Sequence, residues 1–314
     1  MISTTLPRAA VSDYVELTKP RLSALSVLTA LISYLVARTG QMGWHFVFVA
    51  VGTAFCAGGV AAINQYMEAD TDALMRRTAD RPIPSGRVAP GTAFVIGWVL
   101  SLSGLAMLDA FVNGPSAFFA LMTMVSYLAL YTPAKRWSRW STEIGAVAGA
   151  LPPLIGWTAA EGHVSALGAV LFGILLFWQI PHFMAIAWLY RRDYAAVNFP
   201  MLSVRDESGR IVAIWSLINT VALVVVSLLP TFLGFTSYAY LAVAAAAGAW
   251  FIWKAIAFVL PERREVSARR LFFASLSYLP ILLLAMLADR WLISRLLSNP
   301  YPQSTRPSTA CPRC

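Results

Sequence analysis

Apolar stretches long enough to cross a lipid bilayer recur along almost the whole chain, and they fix the solvent in which it folds. Nine such runs lie near 22–37, 45–67, 92–112, 115–132, 143–160, 166–189, 210–234, 238–260 and 271–293. Each approaches the roughly 20 residues that a bilayer-crossing helix needs. Of 314 residues, 58% are hydrophobic and only 12% are charged, about half the charged share of a soluble domain. Lipid offers backbone amides no partner, so each run must satisfy its own hydrogen bonds as a helix. The expected fold is all-α, a polytopic membrane protein. Residues 1–21 form a polar N-terminal segment, 22–293 the membrane domain and 294–314 a tail. The tail is rich in Pro, Ser and Thr and is expected to be disordered. Residues 1–21 read neither as a signal peptide nor as an Arg- and Ser-rich transit peptide, so a bacterial inner membrane is expected.

The net charge is +9. In a soluble protein that excess would suggest nucleic acid, but here its distribution matters more and no nucleic-acid partner is expected. Of the 24 Lys and Arg residues, 18 fall in the N-terminal segment and four loops near 68–91, 133–142, 190–210 and 261–270. The intervening loops hold only Arg38. The positive-inside rule then puts the N-terminus and the basic loops in the cytoplasm. Arg290 and Arg295, near the end of the last run, fit this topology less well. Asp and Glu contribute little to orientation and are costly near a span. The chain has only 15 of them, so their positions need another reason.

The stretch NQYMEADTDALMRRTADRPIPSG, residues 64–86, supplies one. Asn64, Glu68 and Asp72 recur at intervals of four, which stacks three oxygen-bearing side chains on one helix face. Two carboxylates one turn apart repel, and something positive must offset that. A carboxamide and two carboxylates suit Mg²⁺, a hard ion that keeps waters and substrate phosphates among its ligands. Arg76, Arg77 and Arg81 follow, and guanidinium groups bind phosphate in bidentate fashion. Asp70 points off the ladder and reads as solvated. From spacing alone two readings stay open: a metal-diphosphate site, or a helix end whose acids pair with the arginines. Pro82, Pro84 and Gly86 then break the helix.

NxxxExxxD followed by RRTADRPIPSG resembles the first signature of the UbiA-type intramembrane prenyltransferase superfamily. Glu68 stands where that signature usually has Asp; the charge is kept and one methylene is added. The resemblance implies nine helices around a central cavity open to lipid, with Mg²⁺ held by Asn64, Glu68 and Asp72. It also implies contact with a prenyl diphosphate by Arg76, Arg77, Arg81, Lys135 and Arg136, and by Lys19 and Arg21 before the first run.

WQIPHFMAIAWLYRRDYAAVNFPML, residues 178–202, corresponds to the superfamily's second acidic motif. Leu189 stands where its earlier carboxylate would fall, leaving Asp193 as the one acid available to a second metal. PHF with DY and PML resembles the protoheme IX farnesyltransferase branch, as do LTKPR at 17–21, YTPAKR at 131–136 and GALPPLIGW at 149–157. That branch implies haem B as acceptor substrate, farnesyl diphosphate as donor, haem O as product and haem A synthase as a partner. His182 has three readings: haem contact, other polar work in the site, or packing. Trp178 is a candidate wall residue by position, and His45 and His163 read as interfacial. Cys56 reads as a small packing residue. Cys311 and Cys314 form a terminal CxxC, either metal- or haem-handling or an inert tail. Two further readings stay open, a prenyltransferase for an aromatic quinone precursor and a cation-coupled transporter.

Overall fold

The computed structural model describes residues 9–39 and 42–298, so Cys311 and Cys314 lie outside the described residues. Among those residues the chain is helical, with no strand. A short α1 (Val11–Leu17) precedes α2 (Pro20–Ala37), α3 (Trp44–Met67), a one-turn α4 (Ala69–Asp72) and α5 (Pro90–Phe111). Next, α6 (Gly114–Val125) continues without a break through a π-helical segment (Ser126–Tyr131) into α7 (Thr132–Trp137). After α8 (Ser141–Ala150) and α9 (Pro152–Glu161) come α10 (Ala166–Leu189), α11 (Arg191–Ala196) and α12 (Leu202–Arg205). The last three are α13 (Arg210–Phe232), α14 (Tyr238–Val259) and α15 (Arg264–Ser298).

Eight of the helical stretches among the described residues are long and apolar enough to cross a membrane. The ninth apolar run, near 143–160, is divided between α8 and α9. Pro152 and Pro153 are the cause, because proline removes a donor and clashes with the preceding turn. The paired prolines are tolerated at the first positions of a new helix. α15 runs to Ser298, past the expected end of the last span at 293.

The helices form a ring in which α2 packs on α3, α9 and α15, and α10 on α8, α13 and α15. α5 covers α3 from outside, and α14 joins α13 to α15. Close approach of α3 and α5 depends on glycine: a Cβ on Gly59 would stand 2.5 Å from the Gly97 carbonyl oxygen. Without a hydrophobic force between helices in lipid, such small-residue contacts supply the van der Waals packing.

The end of the ring remote from the basic loops is pinned by polar contacts. Asp289 accepts from the Ser237 amide at 2.8 Å and from its hydroxyl, at the start of α14. Arg290 Nε donates to the Val36 carbonyl of α2 at 2.9 Å, and Nη1 to that of Phe235 at 3.3 Å. Arg290, which the charge pattern left unexplained, thus satisfies one carbonyl at the end of α2 and one in the loop between α13 and α14.

Candidate active site

The ring encloses a cavity of about 460 Å³, walled by α2, α3, the α6–α7 stretch, α8, α9 and α10, with Leu279 reaching in from α15. Its polar head lies where α3 ends. Helix α3 stops at Met67, yet the Glu68 amide still donates to the Asn64 carbonyl at 3.0 Å and the Asp72 amide to that of Glu68 at 2.8 Å. The i→i−4 pattern therefore survives the break, and Asn64, Glu68 and Asp72 stay stacked and buried on the cavity wall.

Each member of the ladder meets a cation. Lys19 Nζ donates to Asn64 Oδ1 at 2.9 Å, Lys135 Nζ to Glu68 Oε1 at 2.6 Å and Arg81 Nη1 to Asp72 Oδ2 at 2.5 Å. Asp72 Oδ1 is buried and has no hydrogen-bond partner. Burial works to raise the Glu68 pKa, but Lys135, Lys19 and Arg81 outweigh it and hold that carboxyl below its ordinary value. Burial, joined by the nearby Arg81 charge, pushes Lys19 down to about 7. Four cations, Lys19, Arg77, Arg81 and Lys135, thus face two carboxylates across the head. That balance favours an anion larger than the acids already present.

Local structure aims these groups. Lys19 takes a left-handed conformation, φ 45°, as the N-cap of α2. Gln65 Nε2 donates to the Leu17 carbonyl at 3.0 Å, tying α1 and this turn to α3. Arg87 fastens the 73–89 loop to Asp13 and Glu16 of α1. Arg77 stands over the Tyr190 and Tyr194 rings, 5.4 and 6.0 Å from their centroids, so two loops meet across the head.

Of the residues expected from sequence, Lys19, Asn64, Glu68, Asp72, Arg77, Arg81, Lys135 and His182 are brought to one cavity. Arg21, Arg76, Arg136 and Asp193 are not on its wall. Successive residues on a helix point about 100° apart. Lys135 faces in while Arg136 turns out to Asp70, at 2.6 and 3.0 Å; Tyr194 faces in while Asp193 does not. Arg21 and Arg76 are exposed. The partly exposed Asp70–Arg136 pair accords with the solvated reading of Asp70.

Several residues in and behind the wall escaped sequence reasoning. Thr132 accepts from Asn64 Nδ2 at 3.1 Å and donates to the Tyr127 carbonyl at 2.9 Å, which leaves the Asn64 oxygen turned toward Lys19. Thr132 belongs to the YTPAKR stretch, so its signal was present. Tyr127 and Tyr131 line the wall because the π-helical segment turns them there; π-bulges recur at functional sites. Farther down, His182 Nδ1 lies 2.7 Å from Ser275 Oγ, and its ring stacks on Trp178 with centroids 4.9 Å apart. Gln179 lies beside them on the wall, its amide donating to the Leu175 carbonyl at 3.1 Å. The wall is open toward lipid at Leu22 and Leu25, each 51% exposed, and at Phe183, 36% exposed.

The model of the UbiA prenyltransferase family matches residues 26–277. The chain belongs to that family. Among curated relatives, the protoheme IX farnesyltransferase of Opitutus terrae is 60% identical over 290 residues, covering 92% of this chain and 98% of its own. That of Solibacter usitatus is 41% identical over 288 residues, covering 88% and 98%. Among solved structures, a digeranylgeranylglyceryl phosphate synthase superposes with a TM-score of 0.77 at 18% identity, over 90% of this chain and 99% of its own. A UbiA homologue from Archaeoglobus fulgidus bound to GPP and Mg²⁺ gives 0.57 at 14% identity, over 88% and 99%. These likenesses show the UbiA fold. Membership in a prenyltransferase family answers the cation-coupled transporter in favour of prenyl transfer.

Proposed function

We propose that this UbiA-family chain transfers the farnesyl group of farnesyl diphosphate to a vinyl group of protohaem IX, with addition of water, to give haem O. The observation that carries the reading is the juxtaposition in one lipid-open cavity of an oxygen ladder, four cations and, below them, a deep apolar space holding His182. The names of the relatives that match nearly the full length supply the acceptor.

The donor set fits Mg²⁺. Asn64, Glu68 and Asp72 offer hard oxygens, and Asp72 Oδ1 is a buried acceptor with no partner. Among the described residues no group of three or more His, Cys, Asp or Glu is placed to hold a metal. Mg²⁺ takes one or two carboxylates and completes its shell with water and substrate phosphate. Bound there, Mg²⁺ would neutralise the diphosphate and stabilise its departure. Asp193, the one acid of the second motif, does not line the cavity and is not assigned to this ion.

The chain's own groups do the rest. Lys19, Arg77, Arg81 and Lys135 donate to the diphosphate oxygens, whose charge grows as the allylic C1–O bond breaks. The apolar wall excludes water from the allylic cation, which would otherwise be hydrolysed. The electron pair of the vinyl group forms the new bond to C1. Water adds to the resulting cation and loses a proton, leaving the hydroxyethylfarnesyl side chain. His182, held by Ser275 and Trp178, contacts the macrocycle from the α10 side. The protein resides in a bacterial inner membrane with its N-terminus in the cytoplasm, and its product passes to a haem A synthase.

The test is a membrane assay with protohaem, farnesyl diphosphate and Mg²⁺, read by mass spectrometry. A farnesylated, hydrated haem that vanishes with chelator is the expected result. Prenylation of a quinone precursor instead would keep the family and discard the haem. Product that survives chelation would sink the metal assignment.

A further inference from the structure

Below its polar head the cavity has two sides that differ in what lies behind them. On one side, Thr53, Cys56, Val60 and Asn64 run down one face of α3. From Asn64 to Thr53 is a descent of about 16 Å at 1.5 Å per residue. The opposite walls at that depth are Ala120 of α6 and Ile155 of α9. Each lies six residues from the end of its helix remote from the head, Gly114 and Glu161, or about 9 Å.

This side ends in solid protein. Cys56, Ala120 and Ile155 line the cavity and also belong to a buried cluster with Tyr34, Val49 and Leu108. Val49, Tyr34 and Leu108 in that cluster are 1% exposed or less, so protein fills the space beyond the floor. The other side, toward α10, has a way out to lipid past Leu22, Leu25 and Phe183. A bulky planar acceptor needs the open side, and the closed side has a fixed depth.

That depth matches one chain length. An extended chain advances about 3.3–3.6 Å per three bonds, so the twelve-carbon backbone of a farnesyl group reaches about 13 Å. The same geometry gives about 8 Å for geranyl and about 18 Å for geranylgeranyl. With C1 held at the head, a C15 chain ends near Thr53, a C10 chain leaves the bottom unfilled, and a C20 chain meets the floor. We propose that the closed lobe between α3, α6 and α9 is a chain-length ruler, and that Ala120 and Ile155 at its floor select a C15 isoprenyl diphosphate. The inference rests on the prenyl-transfer reading above.

The experiment offers purified protein protohaem with an equimolar mixture of geranyl, farnesyl and geranylgeranyl diphosphates, and reads product masses. Ala120→Phe fills the floor and raises the geranyl-to-farnesyl product ratio about tenfold or more. Ile155→Ala deepens it and raises the geranylgeranyl-to-farnesyl ratio by a similar factor. Shifts in opposite directions do not come from impaired folding. Should Ala120→Phe fail to fold, Ile155→Ala decides alone. Unchanged ratios in variants with wild-type thermal unfolding would overturn the ruler and put the tail on the open side. If no haem product forms at all, the acceptor assignment fails separately. Protection from thermal unfolding by C10, C15 and C20 prenyl thiolodiphosphates then reads the ruler: a C15 preference that shifts as above supports it, and equal protection overturns it.

Discussion

Asp72 illustrates how much one side chain does at the head of the cavity. One carboxylate oxygen meets Arg81 and the other is buried with no partner. Its backbone carbonyl accepts from Thr78 at 2.9 Å, which shapes the loop that carries Arg77 and Arg81. Asp72→Asn keeps the volume and that carbonyl while removing the charge. The expected result is a loss of about 100-fold or more in turnover, the scale of removing one well-placed electrostatic group. Thermal unfolding in detergent should stay within a few degrees of wild type, and a variant of near-normal turnover would contradict the assignment. The ladder itself was legible, because a spacing of four needs no knowledge of the fold. What was not legible is which of two neighbouring residues faces inward. Lys135 and Arg136, or Asp193 and Tyr194, are equivalent in sequence until a partner across the cavity distinguishes them.

At the scale of elements, the π-helical turn at Ser126–Tyr131 sets the head's far wall. It takes an extra residue into one turn and absorbs it there, so the helix on either side keeps its register. Inserting an alanine between Tyr131 and Thr132 would swing Thr132 and Lys135 by about 100° around the axis. Asn64 and Glu68 would both lose their partners on this wall. Turnover should be abolished while the span still inserts, read by assay alongside protease accessibility of the flanking loops. Retained turnover would mean that the contacts of Thr132 and Lys135 with the ladder are not needed. An apolar run at 115–132 announces a helix, but an extra residue in one turn leaves no trace in its periodicity. The break at Pro152 was written in the sequence as a proline pair, yet its effect depends on α9 finding α2 and α6 as neighbours.

The whole molecule places its chemistry at one end. Lys19, the ladder, Arg77, Arg81 and Lys135 all lie at the end that carries the basic loops, and the closed lobe reaches toward the other. With Cys311 and Cys314 replaced by serine, cysteines introduced at Arg87 and at His163 test this directly, since Cys56 is buried. In intact cells a membrane-impermeant thiol reagent should label the His163 site and leave the Arg87 site untouched; the reverse pattern would invert the topology.

Arg290 joins α15 to α2 through a contact 254 residues distant in the chain. A ribosome adding roughly 5–20 residues per second needs about 13–50 seconds to cover that stretch. For that interval α2 stands in the membrane without its final neighbour, and the ring is an open curve. Closure of the ring therefore waits for α15. A message truncated before codon 289 would yield a nearly complete set of walls with no latch, a species for quality control to remove rather than a weaker enzyme.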